Sequence, residues 1–336
     1  MASIASIIAL ASCGGGNNKP SDTKNSDTSS INTPEDLKQL NAQLLADPNN
    51  AELYHKRTKY YFNIKDFPNS FADMTKVMSI DSSKAEYFLT LSDLYFVTNK
   101  TANSKIALEK AIQLDDKNVD AMLKLAELYL YVRKNEKSLE YINMVLKINQ
   151  YNSKAYFMKG MNYKEMKDTA KAISSMQTAV EQDQQYYHAF MQLGLLCAAK
   201  KNPLAIQYYK NALRIQPKSI EAWYDLGKYY QDIEDWNNAL AIYAGLLKVD
   251  HTNKYAHYNM GVIHLINLKK YDIAINHFTE AIKIDPKYTE AYYGRGIAYQ
   301  TMGDRKNAVT DFQSCIAING QYEAAQNALQ KLNGGK

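Results

Sequence analysis

The chain has 336 residues, 46% of them hydrophobic and 22% charged, values that are ordinary for a soluble protein with a sizeable core. Its net charge of +5 is small for this length and no lysine- or arginine-rich run occurs, which argues against nucleic acid as a partner. The 27 tyrosines, set against 7 prolines and 14 glycines, favour a helical protein with aromatic side chains at its interfaces.

The first twelve residues, MASIASIIALAS, are too short to cross a bilayer but have the length and apolar character of an export-signal core. Residues 10–13, LASC, resemble the bacterial lipobox, in which a signal peptidase cuts before a cysteine that carries diacylglycerol. The resemblance implies a lipoprotein signal peptide at 1–12 and a lipidated Cys13. Residues 1–12 lack the lysine or arginine that normally opens such a signal, and the alternative is a cytoplasmic adaptor that keeps this segment.

Residues 13–30 are predicted to form a flexible linker, because they contain Gly, Ser, Asn, Asp and Thr but no large apolar side chain. As a flexible coil, the linker would hold the rest of the chain on the order of 20 to 25 Å from a membrane. In a bacterium with two membranes, Gly14 after the cysteine favours the outer membrane, where the protein would face the periplasm or the cell surface.

A capping helix is predicted at 31–50. The stretch TPED at 33–36 is a helix start, and Leu37, Leu40 and Leu44 follow on one face. A second capping helix is predicted at 323–336, where apolar residues are followed by two glycines.

Between the caps, one skeleton recurs with a period of about 34 residues. Position 8 of each unit is small, position 20 is always Ser or Ala, position 11 is mostly Tyr, and position 24 is large and apolar. The units are predicted at 51–84, 85–118, 119–152, 153–186, 187–219, 220–253, 254–288 and 289–322.

This period and skeleton resemble the tetratricopeptide repeat. The resemblance implies an all-α fold, a right-handed α-solenoid of about eight helix-turn-helix repeats. The residue pattern agrees, since each unit has two helical windows such as 220–233 and 236–249, and small residues at positions 8 and 20 allow the two backbones to approach. A single hairpin cannot bury its apolar face, so neighbouring units must stack. The extra residue of the seventh unit is expected between its helices, at 268–271.

Few residues in the sequence suggest a catalytic or metal-binding role. Cys197 and Cys315 fall at packed positions and are expected to be free, buried thiols. His257, His264 and His277 could together bind a metal, although packing is the better explanation for them. No phosphate-binding loop or zinc-protease motif occurs. We therefore predict a protein that is not an enzyme and uses no cofactor, metal or small-molecule substrate; a metal-dependent protein that uses the histidines is the alternative.

Function is then expected on the concave groove that the first helices line in tetratricopeptide proteins. Positions 5 and 9 lie four residues apart on one helix face and are mostly apolar from the fourth unit onward. This pattern predicts a continuous apolar surface that binds segments of partner proteins. The predicted groove residues are Phe157, Met161, Met191, Leu195, Tyr224, Lys228, Tyr258, Val262, Tyr293 and Ile297. The expected function is a lipid-anchored scaffold for assembly of a cell-envelope or secretion complex, or an adaptor of peptidoglycan hydrolases, with other proteins rather than nucleic acid as partners.

Overall fold

A computed structural model of the chain describes residues 33–334. These residues form eighteen α-helices and a short π-helical segment, without a strand in the described part. The prediction of an all-α repeat fold is confirmed. No helix of residues 33–334 combines the length and the apolar character that a membrane span needs.

The described chain divides into two compact units, unit 1 up to Gln184 and unit 2 from Gln185 onward. Within each unit, helices that follow one another in sequence pack side by side. Unit 1 contains α1 (Pro34–Ala46), α2 (Ala51–Asn63), α3 (Phe67–Ile80), α4 (Ala85–Val97), α5 (Thr101–Leu114), α6 (Val119–Tyr131), α7 (Asn135–Ile148), α8 (Ser153–Glu165) and α9 (Thr169–Gln182).

Unit 2 contains the remaining repeats and the C-terminal helix. Its elements are α10 (Tyr187–Ala198), α11 (Leu204–Ile215), α12 (Ile220–Asp232), α13 (Trp236–Val249), α14 (Lys254–Val262), the π-helical segment (Ile263–Asn267), α15 (Tyr271–Ile284), α16 (Thr289–Thr301), α17 (Arg305–Ile318) and α18 (Glu323–Gly334). Each predicted repeat thus holds two helices, while α1 and α18 stand where single capping helices are predicted.

Side chains of Thr, Asn, Ser and Asp fix where most helices begin. At α1, the Thr33 hydroxyl accepts from the Asp36 amide at 3.2 Å and the Asp36 carboxylate accepts from the Thr33 amide at 2.8 Å, a reciprocal capping box. At three first helices, the side chains of Asn50, Asn118 and Asn152 each accept a hydrogen bond from a backbone amide of the first turn. These caps satisfy amides that have no partner inside the helix.

The turn between the two helices of every repeat contains one residue with left-handed backbone. Its φ is 63° at Glu234 and 84° at Gly303. The other residues in this conformation are Lys65, Asn99, Arg133, Lys167, Lys201 and Lys269. Glycine alone adopts this region without steric cost, so seven of these eight turns carry local strain.

Inside the last five hairpins, the glycine at position 8 lies against the large residue at position 24. A methyl group added to Gly227 would lie 2.7 Å from the Tyr243 ring, and one added to Gly296 would lie 2.7 Å from the Phe312 ring. Tyr243 and Phe312 are fully buried. The predicted role of the small position-8 residues in close helix approach therefore holds at these contacts.

The first three repeats have Thr, Ser or Ala at position 8 in place of Gly, and in two of them a side-chain hydrogen bond joins the two helices. The Ser70 hydroxyl donates to the Thr58 carbonyl at 3.0 Å, and the Ser138 hydroxyl donates to the Ala126 carbonyl at 2.7 Å. Both serines are buried, so these bonds satisfy side chains that would otherwise be costly to bury. The serines at position 20 thus combine small size with a link between the two helices.

The first and last repeats each contain an arginine–aspartate pair between their helices. Arg57 donates to both carboxylate oxygens of Asp73 at 2.7 Å, and Arg295 donates to those of Asp311 at 2.8 Å. Asp73 and Asp311 are buried. Each is a bidentate, charge-assisted pair, which is geometrically more specific than a single contact.

The seventh repeat differs from the sequence prediction. Its extra residue was expected between the helices at 268–271, but the chain absorbs it inside the first helix as the π-helical segment Ile263–Asn267. A wider turn accommodates one more residue without breaking the helix. The segment places His264 in the interior of the hairpin.

Replacing Gly227 with Ala tests the contact inside the hairpin. We expect the free energy of unfolding to fall by roughly 1–3 kcal/mol because the new methyl group overlaps the buried Tyr243 ring. Glycine to alanine inside a helix ordinarily stabilises, so the sign is diagnostic. Chemical denaturation measures it.

The matched control is Gly320→Ala, where the nearest atom to a new methyl group is the Ile316 carbonyl oxygen at 3.9 Å. This variant should change stability by less than about 0.5 kcal/mol. Equal effects at both glycines would contradict the proposed contact.

Candidate interaction surface

Three acidic residues on the first helices of unit 1 are paired with lysines. Glu52 bonds Lys84 and Glu86 bonds Lys59, each at 2.6 Å, and Asp93 bonds Lys124 at 2.5 Å. The last two pairs join adjacent repeats. Exposed pairs of this kind contribute little to stability, but they neutralise the carboxylates that a partner would otherwise meet.

A small cleft of about 120 Å³ lies beside one of these pairs. Asp93, Lys124, Glu127 and Lys154 line it together with apolar side chains. Burial raises the pKa of Glu127, against the opposing effect of Lys154 and Lys124. The cleft mixes both charge signs and offers no clear preference for a charged ligand.

Three of the predicted groove residues do not present a surface. Phe157 and Met161 in unit 1 are 6% and 7% exposed, and Met191 in unit 2 is 3% exposed. The prediction of an exposed apolar surface is therefore wrong at these three residues, because their side chains are packed in the interior. Position within the repeat does not by itself decide exposure.

The other predicted groove residues, all in unit 2, are at least partly exposed. Leu195 is 36% exposed, and Lys228 is exposed and forms an ion pair with Asp232 on its own helix. The half-buried members are Tyr224, Tyr258, Val262, Tyr293 and Ile297. Unit 2 thus retains the apolar part of the prediction, although binding at these residues stays a prediction.

Tyrosines join the exposed part of this surface into a network. The Tyr224 and Tyr255 ring centroids are 6.4 Å apart, those of Tyr255 and Tyr288 are 5.9 Å apart, and those of Tyr258 and Tyr288 are 5.2 Å apart. These distances and the tilted or edge-on ring planes are typical of favourable aromatic pairs. Together with a Tyr293–Tyr322 pair at 5.3 Å, we call these six residues the tyrosine face of unit 2.

Sequence reasoning missed half of the tyrosine face. Tyr255 occupies position 2, and Tyr288 and Tyr322 are the last residues of their repeats, outside positions 5 and 9. A signal was available, since tyrosine ends both the seventh and the eighth predicted repeat. Tyr255 is 49% exposed, and the other five tyrosines of this face are half-buried.

One lysine already lies over two of these rings. The Lys254 Nζ is 5.0 Å from the centroids of both Tyr255 and Tyr288, within the range of cation–π contacts. The same nitrogen donates to Asp285 at 2.5 Å, and this hydrogen bond raises the pKa of Lys254. Its charge is therefore already balanced within unit 2.

Glu221 and Asp225 lie three residues before and one residue after Tyr224, and Glu290 lies two residues after Tyr288. Among residues 33–334, no lysine or arginine forms an ion pair with any of the three. Burial, with a smaller contribution from Glu221, raises the pKa of Asp225 to about 6. Half-buried Asp225 thus bears its charge without a compensating partner.

The three histidines do come together. The His257 and His277 Nδ1 atoms are 3.4 Å apart, and the His264 and His277 rings stack with centroids 5.6 Å apart. The His264 Nδ1 is buried without a hydrogen-bond partner. Across the described chain, however, no group of three or more His, Cys, Asp or Glu residues has an arrangement that could hold a metal ion.

Cys197 and Cys315 are free and buried, as predicted from their positions in the repeats. Burial raises the pKa of the Cys197 thiol, and it raises that of Cys315 to about 11. Both groups are therefore protonated near neutral pH and unsuited to nucleophilic chemistry.

Comparison with known proteins identifies the repeats. The family model of the ChAPs, the Chs5p-Arf1p-binding proteins, matches residues 68–264, more than half of the chain. The chain belongs to the ChAPs family. Two further models, a TPR repeat at 265–303 and a tetratricopeptide repeat at 289–322, match the C-terminal repeats. The predicted tetratricopeptide repeats are confirmed.

Curated relatives cover part of the chain. The general transcriptional corepressor ssn6 of Schizosaccharomyces pombe is 26% identical over 157 residues, which span 46% of this chain and 11% of the corepressor. Superkiller protein 3 of the same organism is 24% identical over 197 residues, which span 51% of this chain and 14% of that protein. The chain therefore matches only a small fraction of the length of either relative.

A solved structure shares the fold. The C-terminal part of a TPR repeat-containing protein from Cytophaga hutchinsonii aligns with a TM-score of 0.63 and 18% identity over 71% of this chain and 98% of that structure. Tetratricopeptide repeat proteins bind other proteins or peptides, so the chain is a protein-interaction scaffold in this general sense. None of the three matching family models describes an enzymatic domain.

Acid should weaken unit 2 through the histidine cluster. Burial lowers the pKa of His257, His264 and His277, and repulsion from the other two helps to lower that of His277 from 6.5 to about 4. Because the folded state disfavours the protonated form of His277, protonation costs folding stability. The contribution of His277 to the free energy of unfolding is therefore fully present above about pH 6.5 and is lost as the pH falls toward 4. His277→Gln should reduce the loss of stability between pH 7.5 and pH 5 by about 1 kcal/mol after allowance for solvent screening.

Denaturant unfolding at the two pH values measures this effect. The matched control is His251→Gln, because His251 is exposed in the turn before α14. If the control reduces the acid loss as much as His277→Gln does, the cluster is not its source.

Proposed function

We propose that the chain is an adaptor that binds segments of other proteins on the tyrosine face of unit 2. The observation that carries the proposal is the network of tyrosine contacts around half-exposed Tyr255. Its rings are held by one another, so little side-chain freedom remains to be lost on binding. Tyrosine also offers a large contact area and a hydroxyl for hydrogen bonding, which suits a helical or extended partner segment.

We further propose that the adaptor acts from a membrane, in the assembly of a bacterial cell-envelope complex. The LASC stretch at 10–13 and the linker at 13–30 support this proposal, and both lie outside the described residues. A lipid at Cys13 would raise the local concentration of the adaptor near partners on the same membrane. Recruitment of peptidoglycan hydrolases is the narrower alternative, and the outer membrane is the proposed location.

Site-specific crosslinking tests the binding surface. A photo-crosslinking amino acid in place of Tyr255 should capture one dominant protein in the native host because this side chain is half exposed at the centre of the tyrosine face. The matched control is the same substitution at Ile273 on α15, which is 40% exposed. Mass spectrometry identifies the captured proteins. The same products from both positions, or only self-crosslinks, would contradict the proposed surface.

Lipidation at Cys13 is tested separately. Cells given a labelled fatty acid should incorporate it into the full chain but not into Cys13→Ala, and the variant should move from the membrane to the soluble fraction. Cys197→Ala and Cys315→Ala serve as controls because both thiols are buried. An intact mass that retains residues 1–12 would contradict the anchor and favour the cytoplasmic alternative.

A further inference from the structure

Some acidic residues on the first helices have a lysine partner, and others have none among residues 33–334. In unit 1, each of Glu52, Glu86 and Asp93 has a lysine partner within 2.6 Å. In unit 2, three first-helix carboxylates lack a cationic partner among residues 33–334, although Lys228 stands on the same helix as two of them and Lys254 on the first helix of the next repeat. Those lysines pair instead with Asp232 and Asp285. Glu221 and Glu290 are exposed to solvent, and Asp225 is half-buried.

These three carboxylates are Glu221, Asp225 and Glu290, and they border the tyrosine face. Asp225 directly follows Tyr224 on α12, and Glu221 lies four residues earlier on the same side of that helix. Glu290 occupies position 2 of the eighth repeat, as Glu221 does in the sixth and Tyr255 does in the seventh. Position 2 therefore alternates acid, aromatic and acid over three successive repeats.

Glu290 lies two residues after Tyr288, in the first turn of α16. Burial is the main cause of the raised pKa values of Tyr258, Tyr288 and Tyr322, and the negative charge of Glu290 adds to the increase at all three. A single carboxylate thus acts on tyrosines from two neighbouring repeats. A cation bound beside Glu290 would meet both a carboxylate and aromatic rings.

Unit 2 already contains an example of this chemistry. Lys254 lies over the Tyr255 and Tyr288 rings at 5.0 Å from each centroid while its ammonium group bonds Asp285. Rings and a carboxylate together are the environment that Lys and Arg side chains favour in folded proteins. Near Glu221, Asp225 and Glu290 the rings and carboxylates are present, but no lysine or arginine of residues 33–334 forms an ion pair with these three acids.

We propose that the tyrosine face of unit 2 selects a cationic partner segment, in which Lys or Arg side chains pair with Glu221, Asp225 and Glu290 while apolar side chains pack on the rings. This inference rests on the proposed function and adds the chemical class of the partner. Charge complementarity carries it, because these three carboxylates have no ion-pair partner among residues 33–334 and stand beside the tyrosine rings. Lys228 and Lys254 of the same unit are already paired with Asp232 and Asp285.

Binding of three matched peptides to the full chain tests the selectivity. Each fluorescein-labelled peptide has twelve residues and the same leucine and tyrosine positions, and four remaining positions are all Arg, all citrulline or all Glu. Citrulline keeps the shape of arginine without the charge. By fluorescence anisotropy, the Arg peptide should bind at least tenfold more tightly than the citrulline peptide, the Glu peptide should bind most weakly, and the advantage of Arg should shrink at high salt.

Matched triple variants locate the effect. Glu221→Gln, Asp225→Asn and Glu290→Gln together should lower the affinity for the Arg peptide to that of the citrulline peptide. The control combines Glu52→Gln, Glu86→Gln and Asp93→Asn in unit 1. It also removes three negative charges, but it should leave the preference for the Arg peptide intact. Circular dichroism and thermal melting verify that both variants fold, and a variant that does not fold is replaced by its three single substitutions.

The outcomes separate this inference from the proposed function. Equal affinity for the Arg and citrulline peptides, or equal loss in the two triple variants, overturns cation selection. If selection fails but crosslinking at Tyr255 still captures a specific partner, the tyrosine face binds proteins by apolar contact alone. If no peptide binds and crosslinking captures nothing beyond the Ile273 control, the proposed function fails as well.

Discussion

The contact between a small residue at position 8 and a large side chain at position 24 is the interaction on which the rest of this structure depends. Gly227 against Tyr243 and Gly296 against Phe312 leave no space for a methyl group. Such contacts allow the two helices of a hairpin to lie close together, so each hairpin presents one broad apolar side to the next. The proposed binding surface depends on this geometry, since Tyr224, Tyr255 and Tyr258 stand on first helices.

The sequence predicts this framework well because every repeat must satisfy the same packing rule. Small residues at positions 8 and 20 and large residues at 24 recur in phase, and the observed helices α12 and α13 fall within the predicted windows 220–233 and 236–249. The π-helical segment Ile263–Asn267 was not predicted, because an extra residue can be absorbed either by a turn or by a wider helical turn. Local composition does not distinguish the two.

The candidate surface is less predictable from sequence because exposure depends on the surroundings of each side chain. Met191 and Tyr258 occupy the same position in their repeats, yet Met191 is buried and Tyr258 is half-buried. Tyr255 lies outside the positions chosen for the groove and is 49% exposed. Pairing of charges is likewise a property of side-chain placement: Glu52 and Glu221 both occupy position 2, and only Glu52 has a lysine partner among the described residues.

The arginine–aspartate pairs have a consequence for how the array opens. A repeat beside a single capping helix has less neighbouring surface than an internal repeat, so the ends of a repeat array are where fraying begins. Arg57–Asp73 and Arg295–Asp311 occur in these terminal repeats, each with a carboxylate that is almost fully buried. Separating the helices there would leave a buried charge without its partner. These two ion pairs therefore hold the terminal hairpins closed. The amide hydrogens of both hairpins should exchange more slowly than their terminal location alone would suggest.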